Sequence, residues 1–257
     1  MLLAIDSGNT NVVFAVYDGD VLKGVWRCAN DPRRTADEYA VWLTELMKLR
    51  GVAPAGIDGA ILASVVPQTA FNLVSLCGRY FCGTPLTIGD DGVELGLRIL
   101  IDRPEQVGAD RLVTAVSTFS RYGGPSIIID FGTATTFDVV DKDGDYRGGV
   151  IAPGINLSAE ALHMASAQLP RVEIKPTDKV IGKSTIPAMQ SGIFWGYIGM
   201  IEGLVARMQN EFGSTMTVVA TGGLASLFAG CTDVIDHTDR DLTIRGLREV
   251  YRRNRAA

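Results

Sequence analysis

A segment near the start of the chain recurs near its middle, and this repeat limits the possible folds more than any other feature. Residues 2–8 read Leu-Leu-Ala-Ile-Asp-Ser-Gly, and residues 126–132 read Ser-Ile-Ile-Ile-Asp-Phe-Gly. Each is an apolar run ending in Asp-x-Gly. Asn-Thr-Asn follows the first and Thr-Ala-Thr-Thr the second. A β-rich stretch comes next, Val12 to Tyr17 and Thr136 to Val140, and then the turns Asp18-Gly19-Asp20 and Asp143-Gly144-Asp145. Asp-Gly suits a hairpin because glycine takes positive φ at little cost. Further on, Gly24-Val25 matches Gly149-Val150. Each copy reads as strand, tight turn, strand, Asp-Gly turn, strand.

Helices are expected after each meander. Thr35 with Glu38 three residues on has the form of a capping box, and the pattern predicts a helix to about Arg50. The helix after the second copy should start near Pro153-Gly154. A strand from Gly59 to Val66 then precedes a helix from about Gln68 to Tyr80. In the later half a strand from Met216 to Ala220 precedes a short helix opened by Gly222-Gly223. A helix from Gln106 to Tyr122 closes the first half. The expectation is an α/β chain of two similar halves, residues 1–118 and 119–257.

The loops suggest chemistry. In Asp6-Ser7-Gly8-Asn9-Thr10-Asn11 a strand delivers a carboxylate to a turn, Gly8 lets a ligand approach the backbone, and Asn9, Thr10 and Asn11 add donors. Such a loop can cradle phosphate without a Walker lysine, and Asp6 can hold Mg²⁺ directly or through water. Taken alone, the loop reads more readily as a structural hairpin whose Asp caps its own backbone. Asp130-Phe131-Gly132-Thr133-Ala134-Thr135-Thr136 is a second loop of the same kind, which the repeat would place opposite the first. Two such loops form a phosphate clamp, and phosphoryl transfer needs little beyond positioning and charge stabilisation. Thr221-Gly222-Gly223, between a strand and a helix, fits an adenosine contact, though it also serves as a packing turn. Gly108-Ala109-Asp110-Arg111 lies early in a predicted helix, where a carboxylate stays ionised and can take a proton from an attacking hydroxyl. In isolation the tetrapeptide reads more readily as a surface Asp–Arg pair at a helix start.

Composition narrows the partners. The 257 residues carry a formal net charge of -5, without the broad positive field that nucleic-acid binders use. No basic segment leads into a long apolar run at the N-terminus, and no apolar stretch reaches the roughly 18 to 20 residues that span a bilayer. Cys28, Cys77, Cys82 and Cys231 form no Cys-x-x-Cys pair, so free thiols in a reducing cytoplasm are expected.

Together these segments resemble the actin, hexokinase and Hsp70 superfamily, and within it the type III pantothenate kinases. That family's pattern is an N-terminal Asp-x-Gly-Asn-Thr, then Gly-Ala-Asp-Arg, Asp-x-Gly-Thr-Ala-Thr, Gly-Gly-x-Ile-x-Pro-Gly and a late Thr-Gly-Gly. The chain supplies Asp6 to Thr10, Gly108 to Arg111, Asp130 to Thr135, Gly148 to Gly154 and Thr221 to Gly223, in that order. The resemblance implies a duplicated ribonuclease H-like (actin-like) fold, two similar halves around an ATP cleft, and phosphorylation of pantothenate by ATP. It implies that Asp6, Ser7, Gly8, Asn9, Thr10, Asn11, Val12 and Val13 form the ATP phosphate loop and that Thr133 contacts ATP, with Gly222 and Gly223 added from the residue reading. It also implies that Asp110 is the general base, that Gly108, Ala109, Asp110, Arg111 and Thr185 bind pantothenate, and that Asp130 ligates K⁺ or NH₄⁺ beside the Mg²⁺ of the nucleotide. Where many members carry a substrate-contacting Tyr, this chain has Ile101. Two other readings stay open: a kinase or phosphatase of the superfamily with another small substrate, and a nucleotide-binding regulator without turnover.

A helix is also predicted from about Pro187 to Phe212. Gly192, Gly196, Gly199 and Gly203 fall on one of its faces, while Ile193, Tyr197, Ile201, Leu204 and Met208 fall largely on a neighbouring one. Each glycine costs a helix about 1 kcal/mol relative to Ala, so the stripe needs a return in close backbone approach. A homodimer on that face is expected, as in the family it resembles; packing within the subunit is the other option.

Overall fold

A computed structural model describes residues 1–166 and 169–255. The chain divides into two compact units, Met1–Ser120 with the residues from Asp241 onward, and Arg121–Arg240. The first contains β1 (Leu2–Ser7), β2 (Asn11–Asp18), β3 (Val21–Ala29), α1 (Ala36–Leu49), β4 (Gly59–Ser64), α2 (Pro67–Tyr80), β5 (Leu86–Thr87) and α3 (Ala109–Tyr122, whose last turn enters the second unit). The second contains β6 (Ser126–Phe131), β7 (Ala134–Val140), β8 (Tyr146–Pro153), α4 (Ile155–Ala165), α5 (Thr185–Phe212), β9 (Thr217–Gly222), α6 (Ala225–Ala229) and β10 (His237–Thr238). The last helix, α7 (Leu242–Arg255), belongs to the first unit.

The strand orders are β3-β2-β1-β4-β5 and β8-β7-β6-β9-β10. These are the same order, strand for strand, so the repeated segment marks a duplicated topology. In each sheet the central strand pairs antiparallel with the next in sequence and parallel with the one after the crossover: Asp6 faces Val13 and Ala63, and Asp130 faces Thr136 and Thr221. This is the duplicated actin-like α/β fold expected from the sequence. The Asp-Gly turns behave as read, with Gly19 at φ 58° and Gly144 at φ 88°. The capping box is also as read: the Glu38 N–H donates to the Thr35 hydroxyl at 3.3 Å and the Thr35 N–H to the Glu38 carboxylate at 2.7 Å.

Both faces of the first sheet are covered, which explains its nearly continuous apolar strands. Leu3, Ile5, Val12 and Phe14 pack on Tyr39, Leu43 and Met47 of α1 and on Leu73 and Leu76 of α2. With the two-residue alternation of a strand, Leu2, Ala4 and Ala15 meet Val113 and Val116 of α3 and Ile244, Leu247 and Val250 of α7. Asp6 continues the parity of Leu2 and Ala4, so it lies on the face that α3 covers. Full burial of such side chains is worth about 1.5–3 kcal/mol each, which makes α7 an integral part of the first unit. In the second unit, Ile127, Ile129, Phe131, Phe137 and Val139 pack on Phe194, Tyr197, Ile198 and Ile201 of α5 and on Phe228 of α6. Asp130, Thr136 and Asp138 fall by the same alternation on the opposite face. Among the described residues no helix is long and apolar enough to cross a membrane.

Candidate active site

In the first unit, β1 carries Asp6 and Ser7 into a tight turn closed by the Gly8 N–H on the Asn11 carbonyl at 3.0 Å. Asn9, Thr10 and Asn11 are exposed, Asp6 and Gly8 half-buried. Val12 is buried in the core and Val13 is half-buried, so these two anchor the loop. The loop is also held from the side. The Asn30 amide donates to the Gly8 carbonyl at 2.6 Å and to the Ser7 hydroxyl at 3.3 Å, and the Asn30 N–H donates to the Thr10 carbonyl at 2.9 Å.

Gly108 caps α3, accepting the N–H groups of Arg111 at 3.1 Å and Leu112 at 3.3 Å. The Asp110 carboxylate accepts the Arg111 N–H at 2.8 Å and folds back over Gly108. A Cβ at Gly108 would stand 2.5 Å from Asp110 Oδ1 and 3.4 Å from Val65 Cγ1. That explains glycine there: any side chain would displace the carboxylate. Val65 in turn donates its N–H to the Ser7 carbonyl at 3.1 Å. Two residues, Gly108 and Val65, thus lie between Asp110 and the Asp6–Asn11 turn. The exposed, hydrogen-bonding turn can take phosphate oxygens, and the carboxylate can take a proton beside it. Ile101 lies half-buried on the segment before the turn at Pro104–Gln106 and offers only an apolar side chain.

The second unit repeats the arrangement with different chemistry. The Gly132 N–H closes the turn on the Ala134 carbonyl at 3.0 Å, leaving Gly132 and Thr133 exposed. Asp130 and Phe131 converge on Gly222, whose φ is 89°. A Cβ there would lie 2.5 Å from Asp130 Oδ1 and 2.6 Å from the Phe131 carbonyl oxygen. A carboxylate grouped with a backbone carbonyl is the kind of hard oxygen set that suits a cation. Gly223 is exposed just before α6. The loop is backed by Gly154, where a Cβ would stand 2.2 Å from the Thr133 carbonyl oxygen. Beside it, buried Asp138 accepts from the Tyr146 hydroxyl at 2.7 Å and from the Thr136 hydroxyl at 3.1 Å.

Thr185, the first residue of α5, is exposed on the wall of a groove of about 640 Å³ shared with Leu162, Met189, Gly192 and Tyr197. The Tyr197 hydroxyl bonds to that of Thr135. Burial pushes the Tyr197 phenol upward in pKa, keeping it protonated.

Comparison with known proteins closes the assignment. The family model of the type III pantothenate kinases matches residues 2–207. The chain belongs to this family. A type III pantothenate kinase of Paramagnetospirillum magneticum is 65% identical over 99% of this chain and 98% of its own. One from Rhodospirillum rubrum is 63% identical over 99% of both chains. Among solved structures, a Baf family protein from Campylobacter jejuni has the same fold, with a TM-score of 0.63 and 18% identity over 99% of this chain and 100% of its own. For a type III pantothenate kinase the sequence reading named the loops but missed what supports them. Asn30 drew no notice in the sequence, and Tyr197 stood out there only as a core-facing residue. Its hydroxyl on a buried helix face was the available signal, since a buried phenol usually finds a partner.

Proposed function

We propose that this protein transfers the γ-phosphoryl group of ATP to the primary hydroxyl of pantothenate, giving 4'-phosphopantothenate in the first step of coenzyme A synthesis. The observation that supports the mechanism is the nearness of Asp110 to the Asp6–Asn11 turn by way of Gly108 and Val65. Asp110 takes the hydroxyl proton as the new O–P bond forms and the bond to the ADP oxygen breaks. The N–H groups and side chains from Asp6 to Val13 hold the phosphates, with Thr133, Gly222 and Gly223 as further ATP contacts. Gly108, Ala109, Arg111 and Thr185 hold pantothenate, and Ile101 gives that site an apolar wall where many relatives have a phenol. Asp6 fits Mg²⁺ through water, and Asp130 with the Phe131 carbonyl fits K⁺ or NH₄⁺; bound, these cations neutralise phosphate charge. We place the activity in the cytoplasm, in keeping with four free cysteines.

The test is ADP release coupled to mass spectrometry of the product, with Mg²⁺ and either K⁺ or Na⁺. Phosphopantothenate should form with K⁺ and far more slowly with Na⁺, and Asp130→Asn should abolish the difference. No product from folded protein refutes the reaction; equal rates in both salts refute the role of Asp130.

We also propose a homodimer on the glycine face of α5. Gly192, Gly196 and Gly199 are exposed, and a Cβ on any of them would meet nothing within 4 Å. Ile201 and Tyr197, on the neighbouring face, are buried in the subunit's own core. Sedimentation should show a dimer at micromolar concentration, and Gly199→Leu should shift it to monomer. A dimer unaffected by that change would place the interface elsewhere.

A further inference from the structure

We infer that Asn30 is a positioning residue of the kinase, setting the shape of the phosphate-binding turn in the first unit; this rests on the reading of residues 6–13 as the ATP phosphate loop. One residue makes three bonds to that turn. Its amide donates to the Gly8 carbonyl at 2.6 Å and the Ser7 hydroxyl at 3.3 Å, and its backbone N–H donates to the Thr10 carbonyl at 2.9 Å. The amide is itself oriented, because the buried Thr69 hydroxyl donates to Asn30 Oδ1 at 2.6 Å from the first turn of α2. Both ends of the amide are therefore engaged, and its nitrogen is fixed toward the loop. A phosphate loop depends on where its N–H groups point, and the Gly8 and Thr10 carbonyls belong to the same peptide planes as the N–H groups of Asn9 and Asn11. Fixing those carbonyls aims the donors.

The duplication supports this independently. Asn30 follows β3, whose last residue Ala29 pairs with Asn11; Gly154 follows β8, whose last residue Pro153 pairs with Ala134. The two positions are equivalent in the repeat. Each backs its own Asp-x-Gly loop, Gly154 by bare contact with the Gly132 and Thr133 carbonyls and Asn30 by hydrogen bonds.

The test compares Asn30→Ala, Asn30→Asp, Thr69→Val and Asp6→Asn by steady-state kinetics, with each substrate varied in turn and melting temperature measured alongside. Asn30→Ala and Asn30→Asp should lower kcat/KM for ATP about 10- to 100-fold through KM for ATP, leaving KM for pantothenate unchanged. Asn30→Asp matters because it keeps the shape and the acceptor for Thr69 while losing the donor. Thr69→Val should give a smaller loss of the same kind, and none on top of Asn30→Ala. Equal changes in both KM values, or a loss explained by unfolding, overturn the inference. If Asp6→Asn impairs ATP use while the Asn30 variants do not, the inference fails alone; if Asp6→Asn also leaves ATP use intact, the reading of the loop fails with it.

Discussion

Asp110→Asn is expected to lower kcat by about 10² to 10⁴ while the protein stays folded, the usual worth of a positioned general base. The change is isosteric. The Asn carbonyl can still accept the Arg111 N–H that Asp110 accepts at 2.8 Å, and Gly108 still caps α3. Loss of a negative charge in the first helical turn costs only about 0.3–1 kcal/mol, so the melting temperature should fall little. KM for ATP should hold, because the Asp6–Asn11 turn is closed by its own backbone bond and by Asn30. Near-normal kcat in this variant would show that another group takes the proton.

Gly154→Ala is expected to reduce kcat/KM for ATP about 10²-fold, the scale on which a misplacement of about 1 Å acts. The new methyl would stand 2.2 Å from the Thr133 carbonyl oxygen and 2.9 Å from that of Gly132. Those are backbone atoms of the second loop, which cannot swing aside as a flexible side chain can. Either the loop moves or α4, which Gly154 caps, is pushed away. Overpacking of this kind typically costs about 1–3 kcal/mol, so a measurable drop in melting temperature should accompany the kinetic loss. Gly78→Ala is the control. It lies exposed on α2 with nothing within 4 Å of its Cβ, and should leave both readouts intact. Unchanged ATP kinetics in Gly154→Ala would mean that Thr133 does not depend on its backing.

Local chemistry was legible in the sequence wherever cause and effect lie close together. Thr35 and Glu38 announce a capping box three residues apart, and Gly19 and Gly144 announce turns that only positive φ can make. The repeat carried further, because two copies of one pattern imply one topology, and the strand orders agree. Asn30 could not be read this way. It touches Ser7, Gly8 and Thr69, partners far from it in sequence, and nothing in the Asn30-Asp31-Pro32 segment says that its amide faces a loop. The last helix escaped for a related reason. Amphipathic spacing in α7 shows that Ile244, Leu247 and Val250 are to be buried, but not which sheet will bury them. The sequence reading assigned residues 119–257 to one half, whereas from Asp241 onward the chain lies with β1 and β4 of the first unit.

That return of α7 bears on how the protein is made. The second unit, Arg121–Arg240, is one continuous stretch, complete once its last residue has been synthesised. The first unit begins earlier yet waits for the final helix to cover Leu2, Ala4 and Ile61. On the ribosome, the usual N-terminal-first sequence of domain folding is therefore inverted. The half translated first is the half finished last, and until α7 has been made, the part of its central strands' face that α3 leaves open is presented to chaperones and to neighbouring nascent chains.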